Sequence, residues 1–244
     1  VIFHHQNKIP FPPKSFVITF DDGFENNLSV AAPILIDYKI PATIYLTSLF
    51  VDENKMSWID RIELIIEHLP SRKLSFDWTS KIFYIDGRKS RINFLRNVRS
   101  YVKNTKKCDP DKFTDDLSIA LGKTCVYSSN DQLNLKMSWD QVKKANQNEL
   151  LTFGGHSHSH PILSYLEPNQ LEYELKTSLK MLLDKANIPP THYSYPEGMS
   201  NCFNQDVINK LKNKNVKCCP TAINGVNQIE TNLFLLKRIM VNNE

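Results

Sequence analysis

The chain has 244 residues, 41% of them hydrophobic and 23% charged, with a formal net charge of +4. These values are ordinary for a soluble globular protein, and the length allows one large domain with a full core. No apolar run approaches the roughly 18 residues that cross a bilayer, which excludes a helical span.

The chain opens on Val1-Ile2-Phe3-His4-His5, with neither a Met nor a visible signal peptide. It reads as a fragment or processed form, so a missing leader says little about compartment. Phe16-Val17-Ile18-Thr19-Phe20 is short, apolar and β-branched, the pattern of a buried strand, and it stops at Asp21-Asp22-Gly23. From Asn26 to Tyr38 the apolar residues Leu28, Ala31, Ala32 and Leu35 recur at helical spacing, and Ile40-Pro41 ends that helix. Residues 42–46 form a second strand, Ala-Thr-Ile-Tyr-Leu. Strand, helix and strand within about thirty residues make a βαβ unit and imply a parallel sheet.

The rhythm then changes. Trp58 to Leu69 is helical, Leu74 to Trp78 with Lys81 to Ile85 reads as a hairpin, and Ser90 to Lys103 and Pro110 to Leu121 read as two helices. The stretch from about 52 to 137 is expected to be an insertion into a single domain spanning 1–244. Between Arg72 and Lys107, eleven Lys and Arg face only Asp77 and Asp86. That segment carries +9 and leaves −5 for the remainder. A solvated helical face is the ordinary reading of such a run, and a patch for an anionic partner is the functional one.

The alternation resumes with Ser138 capping a helix to Asn146. A strand follows at Leu150 to Phe153, closed by Gly154-Gly155, and then an amphipathic helix from Glu167 to Ala186. The chain ends on a strand at Thr191 to Tyr195, a helix at Phe203 to Asn213, and strands at Val216 to Cys219 and Leu233 to Leu236. The five cysteines, Cys108, Cys125, Cys202, Cys218 and Cys219, are odd in number and contain no Cys-x-x-Cys pair. Free, partly buried thiols are expected, which leans towards a reducing, cytoplasmic or membrane-associated location.

Three clusters follow expected strands: Asp21-Asp22-Gly23, His156-Ser157-His158-Ser159-His160-Pro161, and Tyr195-Pro196-Glu197-Gly198. In a parallel barrel the strand ends converge on one face, so these clusters can meet. Asp-Asp-Gly alone is a common turn, but two buried, unpaired carboxylates repel, and a bound dication removes that cost. In an extended strand His156 and His160 would stand roughly 13 Å apart and could not share an ion. In a helical turn they share a face. That pair therefore needs a turn, which Gly154-Gly155 and Pro161 permit, with His158 pointing away. An extended segment would instead favour 156 with 158, or 158 with 160. Two His and one Asp with an open position form a hydrolytic metal site.

These residues resemble the polysaccharide deacetylases of the NodB-homology type, carbohydrate esterase family 4. The likeness rests on Thr19-Phe20-Asp21-Asp22-Gly23, His156-Ser157-x-x-His160-Pro161 and Tyr195-Pro196-x-Gly198, in that order. It implies a distorted (β/α) barrel and removal of N-acetyl from an N-acetylhexosamine of a polysaccharide or glycolipid. By the same resemblance Asp21 is the general base, Asp22, His156 and His160 hold a divalent metal, and the backbone N–H of Glu197 is an oxyanion donor. Zinc is the metal expected, with cobalt, nickel or manganese as alternatives. Phe3-His4-His5 and Trp58-x-Asp60-Arg61 look like features of a subgroup that edits extracellular or lipid-linked glycans.

Two departures stand out. Many family members carry an Arg where this chain has Ser194, and Glu197 replaces an aromatic residue. The late Leu-x-His that supplies a general acid is absent, and Leu236-Lys237-Arg238 takes its place. Arg238 can stabilise charge but cannot release a proton near neutral pH. His4, His5 or a proton returned by Asp21 are the remaining donors, while His192 reads as a strand or loop residue. A module of the same fold that binds carbohydrate without turnover, and an unrelated metal-binding or structural barrel, are the competing readings. The partner expected is a carbohydrate, phosphate-bearing or lipid-linked if the basic segment grips anions through Arg91, Arg96 and Arg99. No nucleic-acid motif or aromatic stacking pattern is present.

Overall fold

A computed structural model describes residues 1–123 and 133–241. They form two compact units, one from Val1–Lys55 with 132–244 and one from Met56–Asp131.

The first unit is built on a parallel sheet. Strands β1 (Ile18–Phe20), β2 (Ala42–Leu46) and β5 (Leu151–Gly155) lie in the order β1-β2-β5, with Phe20 opposite Ile44 and Ile44 opposite Phe153. The middle strand β2 reads Ala-Thr-Ile-Tyr-Leu because both its faces are covered, and Ile44 and Leu46 are wholly buried. The sheet continues as single parallel bridges, Gly155 to Tyr193, His192 to Cys218 and Pro220 to Leu236. The strands expected at 191–195, 216–219 and 233–236 therefore run in parallel order but pair only point by point. Side chains, not a full ladder, join the last segment to the first strand: Arg238 reaches Thr19 and Asp21 of the β1 end. The result is the distorted barrel, with Ile44, Leu46, Phe153, Tyr193 and Tyr195 in its core.

Helices α2 (Ala32–Asp37), α3 (Ser48–Glu53), α7 (Trp139–Ala145), α8 (Pro168–Ala186) and α9 (Gln205–Asn213) complete this unit, after a short α1 (Ile2–Asn7). The helix expected from Asn26 begins instead as a π turn, Asn27–Ala31. Pro33 has no N–H to give the carbonyl of Ser29, so an unbroken α register cannot run through. The strand expected from Phe16 begins only at Ile18, and Phe16 and Val17 are exposed. Ser138 caps α7 with a reciprocal bond to Gln141, and Asn204 caps α9 by accepting from the Val207 N–H.

The second unit pairs a hairpin, β3 (Arg72–Phe76) and β4 (Thr79–Ile85), with helices α4 (Trp58–Glu67), α5 (Arg88–Asn104) and α6 (Pro110–Leu121). Its core is aromatic: Phe94 lies 4.8 Å from Phe83 and 5.6 Å from Phe76, ring centre to ring centre. The basic residues divide. Arg61 pairs with Asp111 and Asp115, Arg99 with Glu63, and Arg91 donates to the Leu69 carbonyl. Arg88, Lys89 and Arg96 are exposed on α5, which has no acidic residue. So two of the three arginines expected to grip an anion, Arg91 and Arg99, already hold this unit together. Cys108, Cys202, Cys218 and Cys219 are free thiols, and Cys125 lies outside the described residues.

Candidate metal centre

Each cluster singled out in the sequence sits where a parallel strand ends. Asp21-Asp22-Gly23 follows β1. Asp22 and Gly23 both take the left-handed backbone region, at φ 72° and 80°. A Cβ on Gly23 would stand 3.0 Å from the end of the Leu46 side chain, so any other residue there would be both crowded and strained. The histidines follow β5. Gly154 and Gly155 lie inside that strand rather than in a turn. A Cβ on either would stand 2.8–2.9 Å from the rings of Tyr45 or Tyr193 or from the His192 carbonyl. Close packing, not turning, demands this glycine pair.

The turn itself begins one step later. Ser157 and His160 both take φ 65°, and the Ser157 hydroxyl accepts from the His160 N–H at 2.9 Å. With Glu197, at φ 60° in the third cluster, four non-glycine residues of these turns are left-handed. Each such residue costs about 1–2 kcal/mol. Backbone strain of this kind persists only where surrounding bonds over-determine it.

Those bonds are present. The Thr47 hydroxyl donates to the His156 carbonyl at 3.1 Å, and the N–H groups of Ser48 and Leu49 donate to the carbonyls of Ser157 and His158. The His158 ring takes a different direction from its two neighbours. Its Nδ1 meets the Ser48 hydroxyl at 2.9 Å, and its ring packs edge-on to Tyr173. From α8, the buried carboxylate of Glu174 accepts from the His158 and Ser159 N–H groups and from the Ser159 hydroxyl, at 2.8, 2.9 and 2.6 Å.

Asp22, His156 and His160 come together. His156 Nε2 and His160 Nε2 lie 3.6 and 3.4 Å from Asp22 Oδ1, and one ligand atom from each residue falls within 4.8 Å of the others. His156 Nδ1 lies 2.9 Å from the Ser194 carbonyl, which can only accept, so the proton sits on Nδ1 and Nε2 keeps a free lone pair. Burial pushes the His156 imidazole below its ordinary pKa, outweighing Asp21 and Asp22, so the ring is neutral and ready to ligate. Asp22 Oδ1 is buried and accepts no hydrogen bond. An orphaned carboxylate oxygen facing two imidazoles is costly unless a cation satisfies it. The donor set therefore fits a divalent metal.

Asp21 stands beside this group, its Oδ2 3.9 Å from His156 Nε2. Arg238 grips both its oxygens, Nη1 to Oδ1 at 2.9 Å and Nη2 to Oδ2 at 2.8 Å. The same Nη2 donates to the Ser194 hydroxyl at 3.2 Å, so the arginine bridges the ends of two strands. Burial works to raise the Asp21 pKa, but His156 and the Arg238 fork outweigh it and hold the carboxyl below its ordinary value. Glu197 is half-buried in the turn after Ser194, next to Gly198, where a Cβ would lie 2.5 Å from the Ala222 nitrogen. His4 bonds the carbonyls of Ile9 and Pro10 and packs on Phe11, and among the described residues no hydrogen bond or ion pair joins it or His5 to the cluster. His192 lies 3.4 Å from the Cys218 sulfur.

A family model described as polysaccharide deacetylase matches residues 8–72 and 114–219. The chain belongs to the polysaccharide deacetylase family. Solved deacetylases share its fold. The Streptococcus pyogenes deacetylase PplD, solved in complex with acetate, is 18% identical with a TM-score of 0.59, the match covering 98% of this chain and 70% of that one. The BpsB deacetylase domain of Bordetella bronchiseptica is 16% identical, with a TM-score of 0.56 over 97% of this chain and 75% of its own. IcaB of Ammonifex degensii is 15% identical, with a TM-score of 0.55 over 95% and 70%. No curated protein matches the chain by sequence. At these identities the structures show the NodB-type fold.

Two groups in the site escaped the sequence reading. Helix α3, which brings Ser48, Leu49 and Phe50 to the histidine loop, is six residues long and has no side-chain cap. Glu174 did leave a signal. It lies on the α8 face shared by Leu171, Leu175 and Ser178, and a carboxylate on a buried helical face needs a partner.

Proposed function

We propose that the protein is a metal-dependent N-deacetylase that hydrolyses the acetamide of an N-acetylhexosamine in a polysaccharide or glycolipid. The observation that carries this reading is the meeting of Asp22, His156 and His160 beside an Asp21 held at both oxygens by Arg238. Asp22, His156 and His160 would hold the metal, with zinc the first choice for two imidazoles and a carboxylate. A divalent ion there supplies a Lewis acid for the amide carbonyl and acidifies water.

The remaining steps fall to the chain. Asp21 takes a proton from the water whose oxygen attacks the amide carbon. The backbone N–H of Glu197 donates to the carbonyl oxygen as negative charge develops on it. Arg238 orients the Asp21 carboxylate and keeps it ionised. The C–N bond then breaks and the amine leaves with the proton that Asp21 carried, giving acetate and a free amino sugar. Asp21 thus serves as base and acid in turn.

Two finer readings accompany this one. The stretch from about 52 to 137 is an insertion into a single deacetylase domain, a reading supported by residues 73–113 of the chain, which the family model leaves unmatched. The exposed bases of α5 attract a phosphate-bearing or membrane-associated glycan in preference to a neutral one.

The experiment is metal analysis together with acetate release from N-acetylglucosamine oligomers and from a phosphate-bearing amino-sugar glycan. Bound zinc with release supports the enzyme. Bound zinc without release on any glycan points to a binding module, and a chain that takes up no metal overturns the reading.

A further inference from the structure

The histidine loop is an improbable conformation for its sequence. Between His156 and His160 the backbone turns left-handed twice, at Ser157 and at His160, with no glycine to ease it. The turn is what brings the two imidazoles to one oxygen of Asp22. Contacts from the start of α3 and the residue before it fix the carbonyl side of this loop: Thr47, Ser48 and Leu49 donate to the carbonyls of His156, Ser157 and His158. They leave the loop's N–H groups at 158 and 159 pointing the other way.

One group answers those donors. Glu174 Oε2 accepts from both the His158 and Ser159 N–H groups, and Oε1 accepts from the Ser159 hydroxyl. The carboxylate is buried. Two successive N–H groups converging on one oxygen form a small anion-binding concavity in the backbone. Here the anion comes from the protein's own helix, fourteen residues after His160. A neutral amide in that position could still accept from both N–H groups and donate to the Ser159 oxygen, but it would lack the negative charge that strengthens these bonds.

We infer that Glu174 is a positioning residue of the metal centre, its carboxylate clamping the 157–160 turn so that His156 and His160 are presented together to one ion. The inference rests on the metal reading above. It assigns Glu174 no contact with metal or substrate. Its effect runs through the backbone of residues 158 and 159, so it falls on metal affinity and ligand geometry before it falls on chemistry.

The test compares the chain with Glu174→Gln, Glu174→Asp, Ser159→Ala and, as a control on the same helix whose carboxylate pairs with Lys210 and Lys214 instead, Glu172→Gln. Three readouts are taken: zinc dissociation constant by chelator competition, the visible spectrum of the cobalt-substituted protein, and amide exchange at residues 157–160 in metal-free protein. Glu174→Gln should weaken zinc by about 10–100-fold, as loss of an outer partner of a ligand typically does. It should also alter the cobalt spectrum and speed exchange at His158 and Ser159. Ser159→Ala, which removes one bond of three, should weaken zinc by less, and Glu172→Gln should leave all three readouts unchanged. If Glu174→Gln does not fold, Ser159→Ala and Glu174→Asp carry the comparison. Wild-type zinc affinity and an unaltered cobalt spectrum in folded Glu174 variants, with only the melting temperature lowered, would make Glu174 a stability residue and overturn the inference. A wild-type chain that takes up no metal overturns the parent reading, and faster exchange in Glu174→Gln would then still report the clamp by itself.

Discussion

The strand ends of the first unit and the core of the second are built on opposite terms. Around Asp22, His156 and Glu197 the backbone is left-handed at four non-glycine residues, and a buried carboxylate oxygen stands without a hydrogen bond. In the unit of residues 56–131, Asp109 caps α6, Gly122 ends it in the left-handed conformation open to glycine, and aromatic rings stack around Phe94. The second region has no left-handed non-glycine residue among those described and gains stability from burial, although Trp78 Nε1 and Arg99 Nε are buried there without a hydrogen-bond partner. The first holds costly geometry in place through bonds from β2, α3 and α8. The strained turns at the strand ends lie where the chain is prepared to hold something else.

The largest effect separating the two regions should come from the ligands. His160→Ala or Asp22→Asn should abolish zinc retention and acetate release, while His158→Ala should keep nearly full zinc content, read by metal analysis of dialysed protein. Zinc held firmly by His160→Ala would sink the assignment of the triad. The second region should answer through stability instead. Phe94→Ala removes a wholly buried ring and should cost about 3–5 kcal/mol. Denaturant unfolding followed by the fluorescence of Trp58 and Trp78 measures this. A change in zinc content of the folded Phe94→Ala chain would show that the contrast between regions is drawn too sharply.

Asp21→Asn comes next. It should leave zinc bound and reduce turnover by about 10² or more, the scale of lost general-base catalysis. Full activity in that variant would move the proton to another group. Arg238→Ala should act more gently and leave its mark on the pH profile. Asp21 works as a base only above its own pKa, which His156 and Arg238 hold below the ordinary carboxylate value against the pull of burial. Losing the arginine raises that pKa, so the acid limb of kcat/KM should move to higher pH. A limb that stays in place would leave Arg238 without the role of holding the base.

The smallest effect belongs to the basic helix. Reversing Arg88, Lys89 and Arg96 to Glu leaves the internal pairs of Arg91 and Arg99 intact. It should lower kcat/KM a few-fold on a phosphate-bearing glycan and not on a neutral one. The difference should shrink with added salt, since exposed charges are screened over about 8–10 Å at physiological ionic strength. Equal rates on both substrates at every salt concentration would leave α5 a solvated face.

Local rules were enough for much of this molecule. Alternation and helical spacing predicted β2 at 42–46 and α6 at 110–121 to the residue, and capping chemistry placed α7 after Ser138. Strand-end convergence brought the three clusters together, and the resemblance to polysaccharide deacetylases picked out Asp21, Asp22, His156 and His160 within them. What the sequence could not determine depends on partners far away along the chain. Pairing at single bridges beyond β5 is decided by neighbours across the sheet, not by the apolar runs themselves. The need for Gly154 and Gly155 comes from the rings of Tyr45 and Tyr193. Arg238 finds Asp21 from 217 residues away, and Glu174 finds the histidine loop from a different helix. Periodicity reports which face of an element is buried. Only tertiary structure decides which buried charge meets which donor, because that match is made by folding distant segments against each other.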